Sequence, residues 1–487
     1  MKRKALLALS ASFAVMVATS GEGAAQSGTR SISQSAATQA AQQHPQIVEE
    51  FGGEEQGARG AYVRSVGARI SNQTNISGGA NAFRVTTLNS PVMNAFAVPG
   101  GYLYITRQLL GLMNDEAELA SVLGHEAGHI AARHSAERRR TGLLSQLGAL
   151  LVGVVTGSSQ LANLAGQVSQ GLFLQYSRNQ ELEADDLGLR YMTAAGYDPR
   201  RAATLLNSLG AWSNLEARFQ GRQEDQRAAP SWARTHPLSA ERVRRSMQRA
   251  QQTGRVGGVV NRDQHLAVLN GMVFDDDPRQ GIVEGRDFRH PDLRLAFTAP
   301  QGFGIQNGTR AVSVIGQSGQ AQFSTGPAAG NLGNYIDQVF RSIGGNQVQI
   351  PYSRPQSTNI NGIPAAYSTG RARTQQGVLD VSVVAYQFAP NQVYHIATIT
   401  RGGSGLGPFA SMVQSVRRLS PQEAASIRPR IIQTVTVGPN DNVQSLASRM
   451  AYSSYQLERF RTLNGLGPND PVQRGQRVKL VVYGNRS

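Results

Sequence analysis

The chain has no cysteine. This excludes a disulfide framework, a thiolate metal site and lipid attachment through an N-terminal cysteine. Any metal must therefore be held by histidine and carboxylate. Tryptophan occurs twice in 487 residues and aromatics make up 6%, which together with 53 glycines points to loop-rich or small-stranded parts. Long apolar runs are missing too. Residues 5–18 and 143–155, the latter broken by Gly148 and Gly153, are too short to cross a bilayer, so any membrane contact is expected to be peripheral. Acids are outnumbered, 32 against 48 Lys and Arg, for a formal charge of +16. The excess is spread along the chain, with no aromatic-interleaved patch and no recognisable nucleic-acid module, so nucleic acid is not an expected partner.

What is present begins with a basic start (Lys2, Arg3, Lys4), the apolar run 5–18 and small residues at Gly23, Ala24 and Ala25. That order reads as a signal peptide over 1–25, which places the protein in a bacterial periplasm or cell exterior. Residues 26–44 are rich in Ser, Gln, Ala and Gly and read as a flexible linker. Residues 45–252 have mostly helical periodicity, with one strand region at 92–105. A connector over 253–284 contains Asp275, Asp276 and Asp277 ahead of Pro278, an acidic turn expected to be solvated. Residues 285–420 alternate short strands and turns with two helical stretches, which predicts an α+β module with a mostly antiparallel sheet. Residues 431–483 show a compact β-α-α-β order. The fold class is therefore α+β, in two or three domains.

The chemistry gathers at His125-Glu126-Ala127-Gly128-His129. Spacing i, i+4 on a helix puts both imidazoles on one face, as two ligands of one tetrahedral ion require. Glu126 is turned about 100° away, where it can reach a water rather than the metal and act as general base. The small or apolar neighbours Val122, Leu123, Gly124 and Ile130 imply a buried helix, and buried histidines need partners. Gly128 implies a close approach by backbone or ligand. A third ligand should come from a second helix, at 180–194. There Glu181 and Asp185 stand four apart; Glu181 suits the metal and Asp185 the free N–H of a ligand histidine, His125. Glu183 is the competing ligand. His134 reads as a surface residue on a basic stretch, and His265, His290 and His395 have no metal-like spacing.

With S-R-x-x-E-x-x-A-D at 177–185 following H-E-x-x-H, the chain resembles the M48 family of zinc peptidases, whose members include prenyl-protein proteases and periplasmic proteases of outer-membrane quality control. Three further segments are similar to that family: residues 94–101, Asp115–Leu119, and Thr235-His236-Pro237 with Arg242. The resemblance covers roughly 45–250. It implies a mainly helical, gluzincin-type domain with a short sheet, one zinc per chain, and an edge strand (Asn94, Ala95, Phe96, Ala97) that takes an extended polypeptide by β-augmentation. It also puts His236 near the metal, either as oxyanion stabiliser or as a ligand of a closed resting state, with Arg242 in support. The long membrane spans and the tandem helical repeats of other members are absent, the latter shown by the lack of a period near about 34 residues. Instead, 431–483 resembles a divergent LysM domain, which implies peptidoglycan as a possible partner. The resulting expectation is a zinc endopeptidase of misfolded or misassembled envelope proteins. A periplasmic chaperone or assembly factor with a mostly resting site and a peptidoglycan-peptide endopeptidase are the alternatives.

Overall fold

A three-stranded sheet and the helices around it frame the histidine-bearing segment. The computed structural model describes residues 30–134, 176–219, 232, 236–327, 330–344, 350–374, 377–401 and 403–485. The expected signal peptide and the apolar run 143–155 lie outside the described residues.

Helix α1 (Gln34–Glu50) occupies most of the stretch expected to be a linker. Ser33 caps it by accepting from the Ala36 N–H, and Ala40, His44 and Ile47 are buried. Alanine and glutamine favour helix, and the small side chains allow close packing. At Gly100, held at φ 112°, a Cβ would lie 2.4 Å from the Ala36 carbonyl oxygen. One face of the helix packs through Ala40 and His44, while most of the polar residues around them stay exposed.

After α2 (Gly57–Ser71) come β1 (Arg84–Leu88), β2 (Ala95–Val98) and β3 (Tyr102–Thr106). Their order is β1-β3-β2, with β1 parallel and β2 antiparallel to β3, so β2 is an edge. The expected strand region at 92–105 is thus a hairpin, turned by Gly100 and Gly101 at positive φ. Helices α3 (Arg107–Leu112), α4 (Glu116–Ala131), α5 (Arg178–Ala194), α6 (Arg201–Phe219), α7 (Ala240–Gln252) and α8 (Arg262–Leu269) follow. Among the described residues no helix is long and apolar enough to cross a membrane.

Strand β4 (Val273–Phe274) leads into the middle region, where β5 (Ile282–Glu284), β6 (Asp287–His290) and β7 (Leu295–Thr298) form a small antiparallel sheet. Beyond it lie β8 (Gly304–Asn307), β9 (Ala311–Gly316), β10 (Gly319–Thr325), α9 (Leu332–Gly344), β11 (Gln356–Ile360), β12 (Ile363–Thr374), β13 (Gly377–Ala389) and β14 (Gln392–Arg401). The seven strands make one antiparallel sheet in the order β11-β12-β13-β14-β10-β9-β8. Alternation along β13 and β14 feeds two cores. Val381, Val383 and Ala385 face α9, while Val384 and Tyr386 pack with Phe288, Phe297 and Phe409 of the small-sheet side.

Asp275, Asp276 and Asp277 are a junction rather than a solvated turn. Asp275 accepts from Tyr452 Oη at 2.7 Å and Gln108 Nε2 at 3.2 Å. Asp276 accepts from the Val283 N–H at 2.8 Å, and Asp277 from Asn89 Nδ2 at 3.2 Å. Burial pushes the Asp276 carboxyl up to about 6. Gln108, Tyr452 and Asn89, partners of Asp275 and Asp277, come from distant segments, which local composition does not reveal.

β15 (Arg417–Arg418) pairs with β7 at the edge of the small sheet. The C-terminal β-α-α-β order is present as β16 (Arg430–Thr436), two short helices (Val443–Ala447 and Gln456–Leu463) and β17 (Arg477–Tyr483). It is not an appendage. β16 pairs with both β17 and β4, and Ile432, Phe460, Leu480 and Val481 share one core with Leu109, Leu112, Leu119 and Leu123. Lys479, fully buried, donates from Nζ to the carbonyls of Gly111, Leu112 and Met113 at 2.8, 2.9 and 2.7 Å. Those carbonyls end α3, where a cation is favoured by the helix dipole.

Replacing Lys479 with Met should strand these carbonyls and cost about 1–3 kcal/mol, read as a lower urea midpoint at unchanged slope. A second expectation concerns pH. Burial, aided by the Lys479 charge, pushes the His265 imidazole from 6.5 down to about 3, and burial pushes His395 down to about 4. Both folded-state values are depressed, so the unfolded chain takes up these protons first as pH falls below 6.5. Stability is full above that pH and is lost toward pH 4, by about 1.4 kcal/mol per unit per histidine. Urea titrations at several pH values should show a shallower slope in His265→Asn; an unchanged slope would contradict this assignment.

Candidate metal centre

Helix α4 starts at Asp115, whose carboxylate accepts from the Glu118 N–H at 3.0 Å. Its acidic first turn suits the helix dipole, and nearly every residue along it is buried, Glu116, Glu118 and Glu126 included. Helix α5 starts at Ser177 with a capping box to Gln180, so Glu181 falls in its first turn. Tyr176 lies immediately before the cap.

The two helices meet backbone to backbone. A Cβ on Gly188 would lie 2.7 Å from the His125 nitrogen, and one on Gly128 would lie 3.1 Å from the Ala184 carbonyl oxygen. The close approach anticipated for Gly128 is this helix contact. Glu181 and Asp185 are thereby brought under His125 and His129.

The sequence-predicted residues converge. His125 Nε2 and His129 Nε2 are 3.1 Å apart, and His125 Nε2 is 3.2 Å from His236 Nδ1. Glu181 Oε1 lies 2.9 Å from His236 Nδ1 and 3.5 Å from His129 Nε2, and Glu181 Oε2 lies 3.6 Å from His125 Nε2. All four side chains are buried, and their donor atoms lie within 4.8 Å of one another. A tetrahedral zinc with bonds of about 2.0–2.2 Å needs donors about 3.3–3.6 Å apart; the separations of 2.9–3.6 Å come within a few tenths of an ångström of that spacing, so small side-chain shifts fit the set to one ion. Charge is in keeping: among the described residues, Arg242 pairs with the carboxyls of both Glu181 and Asp185, so a divalent cation would meet a net negative charge here.

Supporting contacts hold the set. Asp185 Oδ1 is 2.9 Å from His125 Nδ1. Arg242 is buried and grips Asp185 through Nε and Nη2 at 2.7 Å each, while its Nη1 lies 2.7 Å from Glu181 Oε2. It also donates from Nη1 to the carbonyl of Pro237, next to His236, at 3.1 Å. Arg242 thus holds both carboxylates and the residue beside His236. Burial alone would raise the Glu181 carboxyl, but the neighbouring His236 and Arg242 and hydrogen bonds from the histidines outweigh it and hold the group well below its usual range. The Asp185 carboxyl is likewise held at about 2: Arg242 and His125 overcome burial. Burial pushes the His129 imidazole well down, which keeps it neutral and able to donate a lone pair.

Glu126 is fully buried, and its Oε1 lies 3.5 Å from His236 Nε2. Asn94 precedes β2, and Ala95, Phe96 and Ala97 lie in it at the sheet edge. Ala95 and Ala97 pack toward α4, and Phe96 packs toward α1. Glu183 is not in the donor group; its carboxylate is 61% exposed.

Three participants escape the sequence reading. Tyr176 stacks on His129 with centroids 3.6 Å apart; an aromatic just before a helix cap is the only local signal. Trp232 stacks on His236 at 4.2 Å, and the rarity of tryptophan is its sole mark. His134 is buried, not on the surface, with Nδ1 2.8 Å from His129 Nδ1.

Comparison with known proteins agrees with this geometry. Residues 58–250 match the model of peptidase family M48. The mitochondrial metalloendopeptidase OMA1 of Arabidopsis thaliana is 38% identical over 131 residues, 26% of each chain. OMA1 of Schizosaccharomyces pombe is 36% identical over 163 residues, 32% of this chain and 44% of that one. The beta-barrel assembly-enhancing protease of Escherichia coli is 29% identical over 201 residues, 39% of each chain. This chain thus spans less than half the length of each of these relatives. The matches support a metalloendopeptidase, and the segment that holds all four donors is the one that matches peptidase family M48.

Proposed function

We propose that the protein is a zinc-dependent endopeptidase that hydrolyses peptide bonds of misfolded or misassembled bacterial envelope proteins. The carrying observation is the buried His125, His129 and Glu181 donor set with the Glu126 carboxylate beside it. Bound there, zinc supplies a Lewis acid that polarises a scissile carbonyl and brings the pKa of water toward neutrality. The chain's own residues do the rest. Asp185 and Arg242 orient His125 and Glu181. Glu126 takes a proton from the attacking water and passes it to the leaving amine. The edge strand β2 aligns an extended polypeptide through backbone hydrogen bonds.

One observation favours a resting site as well. His236 Nδ1 belongs to the donor group, 2.9 Å from Glu181. Four protein donors would complete a tetrahedral shell around a bound zinc and would leave no position for water or substrate. Trp232, stacked on His236, reaches the edge strand: its N–H donates to the Met93 carbonyl at 3.0 Å, beside the start of β2. We read this as a closed state from which Trp232 and His236 withdraw before cleavage. A chaperone or assembly role in the closed state is compatible with that reading.

The envelope location rests on the signal-like residues 1–25, and the relative named for beta-barrel assembly lends it support. Binding of peptidoglycan is proposed for the C-terminal β-α-α-β segment on its LysM-like pattern alone.

Casein hydrolysis tests the assignments. Glu126→Gln should lower the rate by about 10²–10⁴ without loss of fold, and a variant that still cleaves casein at the wild-type rate would remove Glu126 from its role. His236→Ala separates the two roles of that residue. Faster cleavage is expected if His236 closes the site; slower cleavage would make it an oxyanion stabiliser.

A further inference from the structure

Helix α4 ends at Ala131, and two residues later Arg133 sits at φ 58°, in the left-handed region. That conformation costs a non-glycine residue about 1–2 kcal/mol, so the turn is one that its surroundings must hold. Its effect is to fold the chain back on the helix. His134, 2% exposed, is laid against the second ligand histidine, with ring centroids 5.0 Å apart and planes at 70°. The contact is nitrogen to nitrogen: His134 Nδ1 is 2.8 Å from His129 Nδ1. On its other side, His134 Nε2 is 3.3 Å from Glu183 Oε2, on α5 two residues beyond Glu181.

Proton positions follow from this arrangement. His129 Nε2 faces His125 and Glu181, so a metal there needs the Nε2 lone pair and the ring proton must sit on Nδ1. That proton needs an acceptor. For His125 the acceptor is the Asp185 carboxylate, 2.9 Å from Nδ1. For His129 it is the His134 ring: Nδ1 of His134 accepts, which places that ring's own proton on Nε2, where Glu183 accepts in turn. The two ligand histidines are thus held differently, one by a carboxylate directly and the other through an intervening imidazole.

We propose that His134 is a positioning residue of the metal centre, which fixes the tautomer and orientation of His129 and is itself oriented by Glu183. The proposal rests on the metal reading above and extends it to a residue outside the ligand set. It explains why a strained, non-glycine turn ends α4 where it does, and why a buried histidine stands five residues past a ligand.

Zinc affinity of the metal-free protein, measured by competition with a chromogenic chelator, is the test. His134→Leu, which removes the acceptor, should weaken zinc binding by about 10–100-fold. His134→Asn, whose Oδ1 can stand near the position of Nδ1, should recover most of that loss. Glu183→Gln, at an exposed carboxylate, should weaken binding less, in the same direction. Thermal unfolding of the metal-free forms checks that each variant folds. Zinc affinity equal to wild type in folded His134→Leu overturns the proposal while the ligand set stands. If His134→Leu does not fold, the remaining pair decides, and Glu183→Gln with wild-type affinity overturns the relay. A wild-type protein that binds no zinc brings down the site reading and this proposal together.

Discussion

The backbone contact between α4 and α5 is the constraint on which the site depends. Gly124, Gly128, Ala184 and Gly188 carry almost nothing between the two helices, so that a Cβ on Gly188 would overlap the backbone of His125. Only at that separation can a first-turn carboxylate of one helix reach imidazoles in the middle of the other. A larger residue at 188 would move Glu181 outward and leave two histidines and a guanidinium buried without their carboxylate. Such a loss is severe in a dry site, because unpaired buried charge is costly. The glycines thus set the spacing, and the polar network around Arg242 holds it.

A second constraint ties the C-terminal segment to the same helix. Lys479 reaches the end of α3 from β17, and the chain leaving α3 carries Asn114 and Asp115 into the cap of α4. Asn114 N–H donates to Glu118 at 2.7 Å, and the Glu118 carboxyl, pushed up to about 7 by burial, lies near the Lys479 charge. The start of the ligand-bearing helix is therefore held by β17, more than 360 residues further along the chain. A segment whose sequence pattern suggests a tethered binding module contributes instead to the core of the peptidase region. Any ligand it takes would bind to a surface continuous with that region.

The legible parts of this structure were those with short-range period. Spacing i, i+4 placed His125 and His129, and again Glu181 and Asp185, on common faces, and α4 and α5 bring those faces together. Alternation marked β7, β9, β12, β13 and β14 of the middle region, whereas β6, β8, β10 and β11, which are largely polar, gave no clear signal. Where partners are remote the sequence was silent. His134 appears exposed in a basic stretch because His129 and Glu183 meet it only after a left-handed turn and the packing of α5. The Asp275–277 triplet looks solvated because Gln108, Tyr452 and Asn89 lie far along the chain. Residues 34–44 look disordered because alanine and glutamine score as neither core nor turn, yet alanine is what fits against Gly100.

The central claim is that the four-donor cluster is a metal centre. Elemental analysis of the purified chain, wild type beside Glu181→Ala, tests it most directly. The account predicts about one zinc per wild-type chain and its loss in the variant. A wild-type chain without bound divalent metal, or a Glu181→Ala chain that retains it fully, would contradict the account.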